Sequence, residues 1–472
     1  MRYLPIGILL VLSTLGGPVA SANGQVILDI EINNTPAEDD DYIGWTPVRA
    51  QIRQRNGTAD MAVNLTGAKI NATTATGEVS FLPFSALPHT PVTAVFQDSL
   101  SVTLPADGTW KGFWLAGKAA SSDGKDVKIV VRDAMNAERA ALPLMVRVRK
   151  NAESLSDAEV NRFLVALAKM HDLDNAAGVG RASKYLKYVK AHKEAFSEGI
   201  HGSPLFTPWH RAMLLSFERE LQSFDPAVAL PYWKFDEPAP KLFSRKFMGV
   251  ITSSSNIVRF DAGNPIRNWA MPSEAAMDAM TSLSSIPTST EPMLRIDNAD
   301  TVAPDVDFQS VIDEDSHTFM RSALENNYHN RAHSTIGGWL VSAASPRDPL
   351  FFLLHANVDR AWAAWQKEKS LFDPDGVDSV TYSPLGGYPG PVAPNRSHHG
   401  TYANDTVWPW NGAGGTQGTN DPLDDWPNYS FSMPAAFANH GPGNRVRNLI
   451  DYLDIRGKGT PHGYCYDKIG FK

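Results

Sequence analysis

Six of the 13 histidines form two groups of three in the helical part of the chain. The groups are His192, His201 and His210, and His329, His333 and His355. His201 and His210 are the two ends of HGSPLFTPWH, whose two prolines restrict the backbone. His329 and His333 are four residues apart in YHNRAH, which places both rings on one face of a helix. His355 lies among apolar neighbours in LFFLLHANVDR, where a buried imidazole needs a partner.

Each histidine alone is most simply a hydrogen-bonded core residue, but two groups of three are difficult to explain in that way. Imidazole ligands suit copper, zinc, iron and nickel. The Glu-x-x-His motif of dinuclear iron and manganese bundles is absent from these helices, and so is the H-E-x-x-H motif of zinc proteases. Six neutral imidazoles without a carboxylate ligand favour copper. Three ligands per ion leave open positions at which an exogenous molecule can bind.

Two longer stretches around these histidines resemble the copper signatures of the tyrosinase family of type-3 dicopper proteins. HGSPLFTPWHRAMLLSFE, at 201–218, is similar to the first signature, and DPLFFLLHANVD, at 348–359, to the second. YHNRAH resembles the H-N-x-x-H element of the family. The resemblance covers about residues 155–370 and implies a mainly α core in which a four-helix bundle holds two copper ions.

The same resemblance implies which histidines are ligands. One copper (CuA) would be bound by His192, His201 and His210, and the other (CuB) by His329, His333 and His355. His192 lies in YVKAH, which resembles the first-ligand helix of the family, but its separation from His201 is short. His171 in KMHDLDN is therefore the alternative to His192.

Two residues near the second group match catalytic positions of the family. Asn330, directly after His329, matches an Asn that helps to deprotonate the phenol, and Glu325 resembles the Glu that holds a water as base. A carboxylate beside a dication site is chemically suited to general base catalysis. The alternative for Glu325 is a solvated helix residue.

Five further residues match supporting positions of the family. The resemblance implies that Phe351 packs against ligand rings, and that Arg211 and Asp359 orient ligands from behind. Ser342 and Ala343 fall at the gate over the copper, where small side chains leave access open.

The activity implied is that of a copper monooxygenase, a tyrosinase or polyphenol oxidase, which uses O2 to hydroxylate monophenols to o-diphenols and to oxidise o-diphenols to o-quinones. A catechol oxidase without the first step is the close alternative, and a haemocyanin-like O2 carrier is a further one. The natural phenol is left open among free tyrosine, plant phenolics, aminophenols and peptide tyrosine.

The region before this core has a different texture. Residues 23–150 contain short alternating segments rich in Val and Ile, such as VILDIEI and DVKIVVRDA, separated by turns such as Asn56-Gly57. This pattern predicts a β-sandwich domain. The texture changes at Ser156, which forms a capping-box pattern with Glu159 before a helical repeat. We therefore expect a multidomain protein with a dicopper catalytic domain at 151–472.

The N-terminus predicts a signal peptide, with Arg2, an apolar run from Leu4 to Leu15 and cleavage after Ala22. The mature chain would then be secreted or periplasmic. A net charge of −8 without basic runs argues against nucleic-acid partners, and no later segment reaches transmembrane length. Cys465 is the single cysteine, so no internal disulfide can form, and a thioether to a ligand histidine is not expected. Tyr464-Cys465-Tyr466 resembles the Tyr-x-Tyr element that closes the catalytic core of the family.

Overall fold

The computed structural model describes most of the chain. The described ranges are 27–32, 35–36, 41–85, 95–171, 184–252, 254–281, 289–298, 308–373, 405–411, 445–454 and 463–469, with residues 287 and 403. The predicted signal peptide at 1–22 lies outside them, as does most of the loop-rich stretch 371–443. Within these ranges, no helix combines the length and the apolar character that crossing a membrane requires.

Ten strands form two five-stranded sheets in the first part of the chain. They are β1 (Ile27–Ile32), β2 (Thr35–Pro36), β3 (Tyr42–Ile43), β4 (Val48–Arg55), β5 (Met61–Lys69), β6 (Glu78–Pro83), β7 (Ser99–Leu104), β8 (Lys111–Ala119), β9 (Val127–Asp133) and β10 (Glu138–Val146). The strand orders are β2-β1-β4-β8-β6 and β3-β10-β9-β5-β7. Neighbouring strands are antiparallel except for the short parallel pair of β3 and β10.

The two sheets bury alternate residues against each other. Along β4 every second residue is buried while those between are partly or fully exposed, as expected for a strand with one solvated face. Ile52 and Leu115 of the first sheet, and Ile129 and Val131 of the second, are fully buried in one core. The alternating pattern of the sequence thus corresponds to packed sheets in the structure.

The second part of the chain is mainly helical. Its helices are α1 (Asp157–His171), α2 (Leu186–Ala195), α3 (Phe206–Gln222), α4 (Glu274–Asp278), α5 (Phe308–Asp313), α6 (His317–Ala323), α7 (Asn330–Ile336), α8 (Leu350–Lys369) and α9 (Arg447–Ile450). A π-helical turn, Leu324–His329, joins α6 to α7, and a 3-10 turn, Gly338–Val341, follows α7. Two short hairpins are formed by β11 (Val250–Thr252) with β12 (Ser255–Arg259), and by β13 (Ala270–Pro272) with β14 (Thr290–Pro292).

The start of α1 confirms the predicted capping box. The backbone N–H of Glu159 donates to the hydroxyl of Ser156 at 3.1 Å, and the Glu159 carboxylate accepts from the Ser156 N–H at 2.8 Å. Two N-terminal donors that the helix cannot satisfy internally are therefore satisfied by side chains.

A buried charge network joins the segment after β10 to the helical core. Arg149 is fully buried and donates to Glu218 on α3 at 2.7 Å, to Asp359 on α8 at 3.2 Å and to the Tyr466 hydroxyl at 2.9 Å. Arg211 on α3 donates to the other oxygen of Asp359 at 2.5 Å. This network fixes α3 against α8, the two helices that carry His210 and His355.

Candidate dicopper site

The structure brings the six predicted histidines together as two triads. In each triad the candidate ligand atoms lie within 4.8 Å of one another. The first triad combines His192 on α2, His201 on the following turn and His210 on α3. The second combines His329 at the end of the π-helical turn, His333 on α7 and His355 on α8. The triads face each other, and the rings of His210 and His355 stack with centroids 4.2 Å apart.

Backbone carbonyls orient three of the rings through Nδ1. His192 Nδ1 lies 2.6 Å from the carbonyl oxygen of Ala343, and His333 Nδ1 lies 2.6 Å from that of Leu340. His210 makes the same contact at 2.7 Å with a carbonyl one turn earlier in α3. Because a carbonyl only accepts, Nδ1 carries the proton and Nε2 keeps its lone pair. The Nε2 atoms of His192 and His210 are buried and have no hydrogen-bond partner in the described part of the chain.

The second triad shows the same convergence of ring nitrogens. His329 Nε2 and His333 Nε2 lie 3.2 and 3.3 Å from His355 Nε2. His329 is oriented by Oδ1 of Asn330, 2.9 Å from its Nδ1. With Nδ1 of His329 and His333 acting as donors, their Nε2 lone pairs and that of His355 point at a common centre. A cation at that centre would satisfy these nitrogens, so the donor set fits a metal ion.

Burial keeps the imidazoles neutral. It lowers the pKa of His192 to about 3 and that of His333 to about 4, and it lowers the pKa values of the other four well below their usual value. Neutral imidazole is the form that binds metals. No carboxylate belongs to either triad. An all-imidazole donor set of this kind suits copper better than magnesium, calcium or manganese, which prefer oxygen ligands.

Aromatic packing holds the other two rings. The Nδ1 atoms of His201 and His355 are buried without a hydrogen-bond partner among the described residues. The ring of Phe196 lies 4.8 Å from that of His201, and the ring of Phe351 lies 4.1 Å from that of His355. Phe351 also lies 5.0 Å from His192, so it contacts both triads.

Glu325 lies on the π-helical turn and contacts the loop of the first triad. Its side chain is buried, and its carboxylate accepts from the N–H of Gly202 and from Arg321, both at 2.7 Å. Burial raises the pKa of Glu325 above its usual value, although these two donors oppose the shift. Gly202 directly follows a ligand of the first triad, so Glu325 fixes the position of that loop. Asn330 is exposed, and its amide oxygen is directed at Nδ1 of His329.

Arg211 and Asp359, expected behind the ligands, bind each other. Arg211 also donates to Gln366 at 2.8 Å and to the carbonyl of Leu449 at 2.9 Å. Among the described residues neither side chain hydrogen-bonds a ligand imidazole. They act on the site by fixing the helices that carry His210 and His355.

The remaining sequence candidates are also placed. Ser342 and Ala343 are half-buried beside the triads, and the carbonyl of Ala343 holds His192. His171, the alternative to His192, belongs to neither triad, since its Nε2 contacts the carbonyl of Ala270 at 2.9 Å and its ring packs on Trp269.

The single cysteine is remote from the triads. Cys465 is buried, its Sγ lies 3.4 Å from the backbone N of Trp45, and burial raises its thiol pKa to about 12. It therefore packs where the β-sheets meet the helical core, and it is not near His201.

Several residues that support the site escaped the sequence reasoning. They are Arg149, Glu218, Arg321, the glycines Gly337 and Gly338, and Leu340 with its carbonyl. Of these, only Gly337 and Gly338 could have been recognised in the sequence. They are adjacent and lie between two of the copper motifs, and paired glycines often mark a backbone conformation that other residues cannot adopt. The partner carbonyls carry no sequence signal, because any residue supplies one.

Comparison with known proteins identifies one family and several relatives. Residues 182–368 match the common central domain of tyrosinase. The chain is 32% identical to a tyrosinase of Streptomyces antibioticus over 289 residues, which is 56% of this chain and 93% of that protein. It is 32% identical over 308 residues to a tyrosinase of Streptomyces glaucescens, covering 60% of this chain and 98% of that protein. A polyphenol oxidase structure from Thermothelomyces thermophila aligns at 20% identity and a TM-score of 0.43, over 68% of this chain and 88% of that one.

Two facing triads of neutral histidines on helices, together with these relatives, define a copper oxidoreductase of the type-3 class. The chain belongs to the tyrosinase family. The matched central domain begins at residue 182, so the two β-sheets lie outside it.

Proposed function

We propose that this chain is a secreted tyrosinase that hydroxylates monophenols to o-diphenols and oxidises o-diphenols to o-quinones with O2. The observation that carries the proposal is the pair of facing imidazole triads, which among the described residues include no carboxylate and leave the buried Nε2 atoms of His192 and His210 without a hydrogen-bond partner. The tyrosinase names of relatives that the chain covers almost completely support the reaction class.

The two triads would hold CuA and CuB, with His192, rather than His171, as the first ligand. Bound copper would supply O2 binding and the electron transfer that phenol oxidation needs. The protein would hold the rings through carbonyls, Asn330 and aromatic contacts, so that little reorganisation accompanies the reaction.

Glu325 and Asn330 would handle the phenolic proton. Each carboxylate oxygen has two lone pairs, so Glu325 can accept from Gly202 and Arg321 and still hold a water molecule. Its raised pKa brings it closer to the working range of a general base. Asn330, attached to the second triad, would supply the other contact to that water, on the side where the phenol enters past Ser342 and Ala343.

One observation favours the second candidate, a catechol oxidase. Both oxygens of Glu325 already accept hydrogen bonds, which reduces its capacity to take a proton. Catechols depend less than monophenols on a general base for deprotonation. A protein in which Glu325 is a poor base would therefore still oxidise diphenols. An O2 carrier is disfavoured, because four relatives that match over 82–98% of their own length are named as tyrosinases.

The test is O2 uptake by the copper-reconstituted protein with tyrosine and then with a catechol, against the apo protein. Uptake with both substrates is the expected result. O2 uptake with catechol alone would establish a catechol oxidase and would contradict the proposed role of Glu325 in deprotonating the monophenol. Copper binding without uptake would contradict both enzymes and favour the O2 carrier.

Secretion and domain division are parts of the same proposal. We infer that residues 1–22 are a cleaved signal peptide, that 23–150 form a separate β-sandwich domain and that 151–472 form the catalytic domain. Expression in a host with a secretory pathway, followed by N-terminal sequencing of the exported protein, should find Asn23 as the first residue. An exported protein that retains Met1 would contradict cleavage.

A further inference from the structure

One short segment holds a ligand of each triad. Leu340 and Ala343 are three residues apart, and their carbonyl oxygens each lie 2.6 Å from Nδ1 of a ligand: His333 in the second triad and His192 in the first. We propose that the segment from Gly337 to Ala343, the bracket segment, sets the ring orientation at both copper sites together. Gly337 and Gly338 are the positioning residues that fix it.

The backbone of the two glycines allows no other residue without strain. Gly337 has φ 61° and ψ −152°, a region that only glycine adopts readily, and Gly338 has φ 60°. A Cβ on Gly338 would lie 2.1 Å from the carbonyl oxygen of Leu294 and 2.5 Å from its carbon. Because these are backbone atoms, the chain cannot relieve the contact by moving a side chain.

This close approach anchors the bracket segment to a neighbouring extended chain. The N–H of Trp339 donates to the carbonyl of Leu294 at 3.0 Å, and the N–H of Ile296 donates to that of Ile336 at 2.8 Å. Arg295, between them, is fully buried and pairs with Asp348 at the start of α8. The bracket segment is therefore tied at its start to the same chain that anchors the helix of His355.

A displacement at Gly338 must reach both carbonyls, because the intervening 3-10 turn is short and hydrogen-bonded. Hydrogen bonds near 2.6 Å are lost by a shift of about 1 Å, which takes the atoms beyond useful bonding distance. Loss of such an outer contact costs about 10–100-fold in metal affinity. Ser342 and Ala343 belong to the same segment, so substrate access and ligand orientation are not independent.

The test is metal binding by Gly338→Ala, measured by titrating the apo protein with Co(II) and following its visible spectrum. We expect two equivalents for the unsubstituted chain. The variant should bind both equivalents at least about 10-fold more weakly, with a changed spectrum. Gly337→Ala combined with Ile296→Ala is a milder second variant. The double change removes the Ile296 atoms that a new Cβ would meet at 2.3 and 2.5 Å, and it leaves mainly the φ strain.

Two control variants are needed. One shows whether backbone strain away from the triads also weakens metal binding, and the other shows how the loss of a contact at one triad differs from a loss at both. Gly108 has φ 80°, and a Cβ there would lie 3.4 Å from the carbonyl oxygen of Gln54, so Gly108→Ala introduces positive-φ strain in the turn between β7 and β8, away from the triads. It should bind two Co(II) ions normally. Asn330→Ala removes a contact to His329 alone and should weaken one equivalent only.

The inference rests on the proposed dicopper site, and the two can fail separately. An unsubstituted chain that binds fewer than two ions would contradict the proposed site. If folded Gly338→Ala binds two Co(II) ions as tightly as the unsubstituted chain, the proposed role of the bracket segment is wrong. If Gly338→Ala does not fold, the same result in the milder double variant leads to the same conclusion. Weakening of a single equivalent, as in Asn330→Ala, would contradict that role too.

Discussion

Replacement of Asp359 by Asn should destabilise the protein strongly, because three buried groups donate to this one carboxylate. They are Arg211 at 2.5 Å, Arg149 at 3.2 Å and the Tyr466 hydroxyl at 2.6 Å. Asn keeps the shape of the side chain and removes its charge. Arg149 would retain Glu218 as a partner, at 2.7 Å. Arg211 would retain no carboxylate within ion-pair distance in the described part of the chain.

The size of the effect follows from the burial of Arg211. Burial opposes its charge, but the Asp359 carboxylate, together with Tyr464 and Tyr452, more than offsets this, so the pKa of Arg211 stays above its usual value. Removing one partner of a buried ion pair costs about 3–5 kcal/mol, because the other charge is left uncompensated. That is a large part of the ~5–15 kcal/mol by which a folded domain is stable.

The assay is urea unfolding of the apo protein followed by tryptophan fluorescence, with the free energy of unfolding compared between variants. The matched control is Asp98→Asn. Asp98 pairs with Lys118 at 2.7 Å, but both side chains are largely exposed. An exposed pair contributes about 0–1 kcal/mol. If Asp359→Asn lowers the free energy of unfolding by no more than the control does, then leaving Arg211 without its carboxylate carries no large cost, and the reasoning is refuted.

Three further substitutions test separate parts of the site. Phe196→Ala should weaken copper retention at the first triad about 10-fold, because the Nδ1 atom of His201 has no partner among the described residues and Phe196 packs closely on this ring. Copper content after dialysis against a chelator measures this, and Phe319→Ala, which removes another exposed Phe outside the triads, should retain two coppers. Glu325→Gln should reduce monophenol oxidation by about 10²–10⁴-fold and leave catechol oxidation within several-fold, measured as O2 uptake. Glu138→Gln on β10 is the control, and equal losses with both substrates would contradict a role in deprotonation. His317→Gln should make the free energy of unfolding less dependent on pH. Burial lowers the His317 pKa to about 3, so the neutral ring stabilises the fold above about pH 6.5, and this contribution is lost as pH falls towards 3. The slope is about 1.4 kcal/mol per pH unit. Urea unfolding of the apo protein between about pH 6.5 and 3 should show that the free energy of unfolding of the variant falls less steeply as pH falls. Equal slopes for the variant and the unsubstituted chain would contradict the lowered pKa of His317.

The convergence of the six histidines as two triads could be predicted in part, because the spacing that indicates it is local. His329 and His333 share a helical face by spacing alone, and the capping box at Ser156 involves residues three apart. The choice of His192 over His171 needed the family resemblance. In the structure the difference is tertiary: one ring reaches the triad, and the other packs on Trp269.

The parts that could not be predicted depend on contacts between distant segments. The helical segment around Glu325 contains a π-helical turn, in which the Asn330 N–H donates to the carbonyl of Glu325. Such a turn adds a residue to the helix locally and is common at functional sites. Arg149 is a second example. A boundary drawn at 150/151 from the change in texture assigns this residue to the β region, although its side chain is buried against α3 and α8.

Charge balance around the triads links the stability of the fold to metal binding. Among the described residues, four of the buried arginines form a group of ion pairs around the triads: Arg149 with Glu218, Arg211 with Asp359, Arg295 with Asp348 and Arg321 with Glu325. The six candidate ligands are neutral, so none of these four arginines places an uncompensated charge beside the metal positions. Asp359→Asn would leave one, on the residue that directly follows ligand His210. Since a buried cation repels a second cation strongly at low dielectric, this variant should release copper more readily even under conditions where it remains folded. A folded Asp359→Asn protein that retains copper like the unsubstituted chain would show that these pairs serve packing alone.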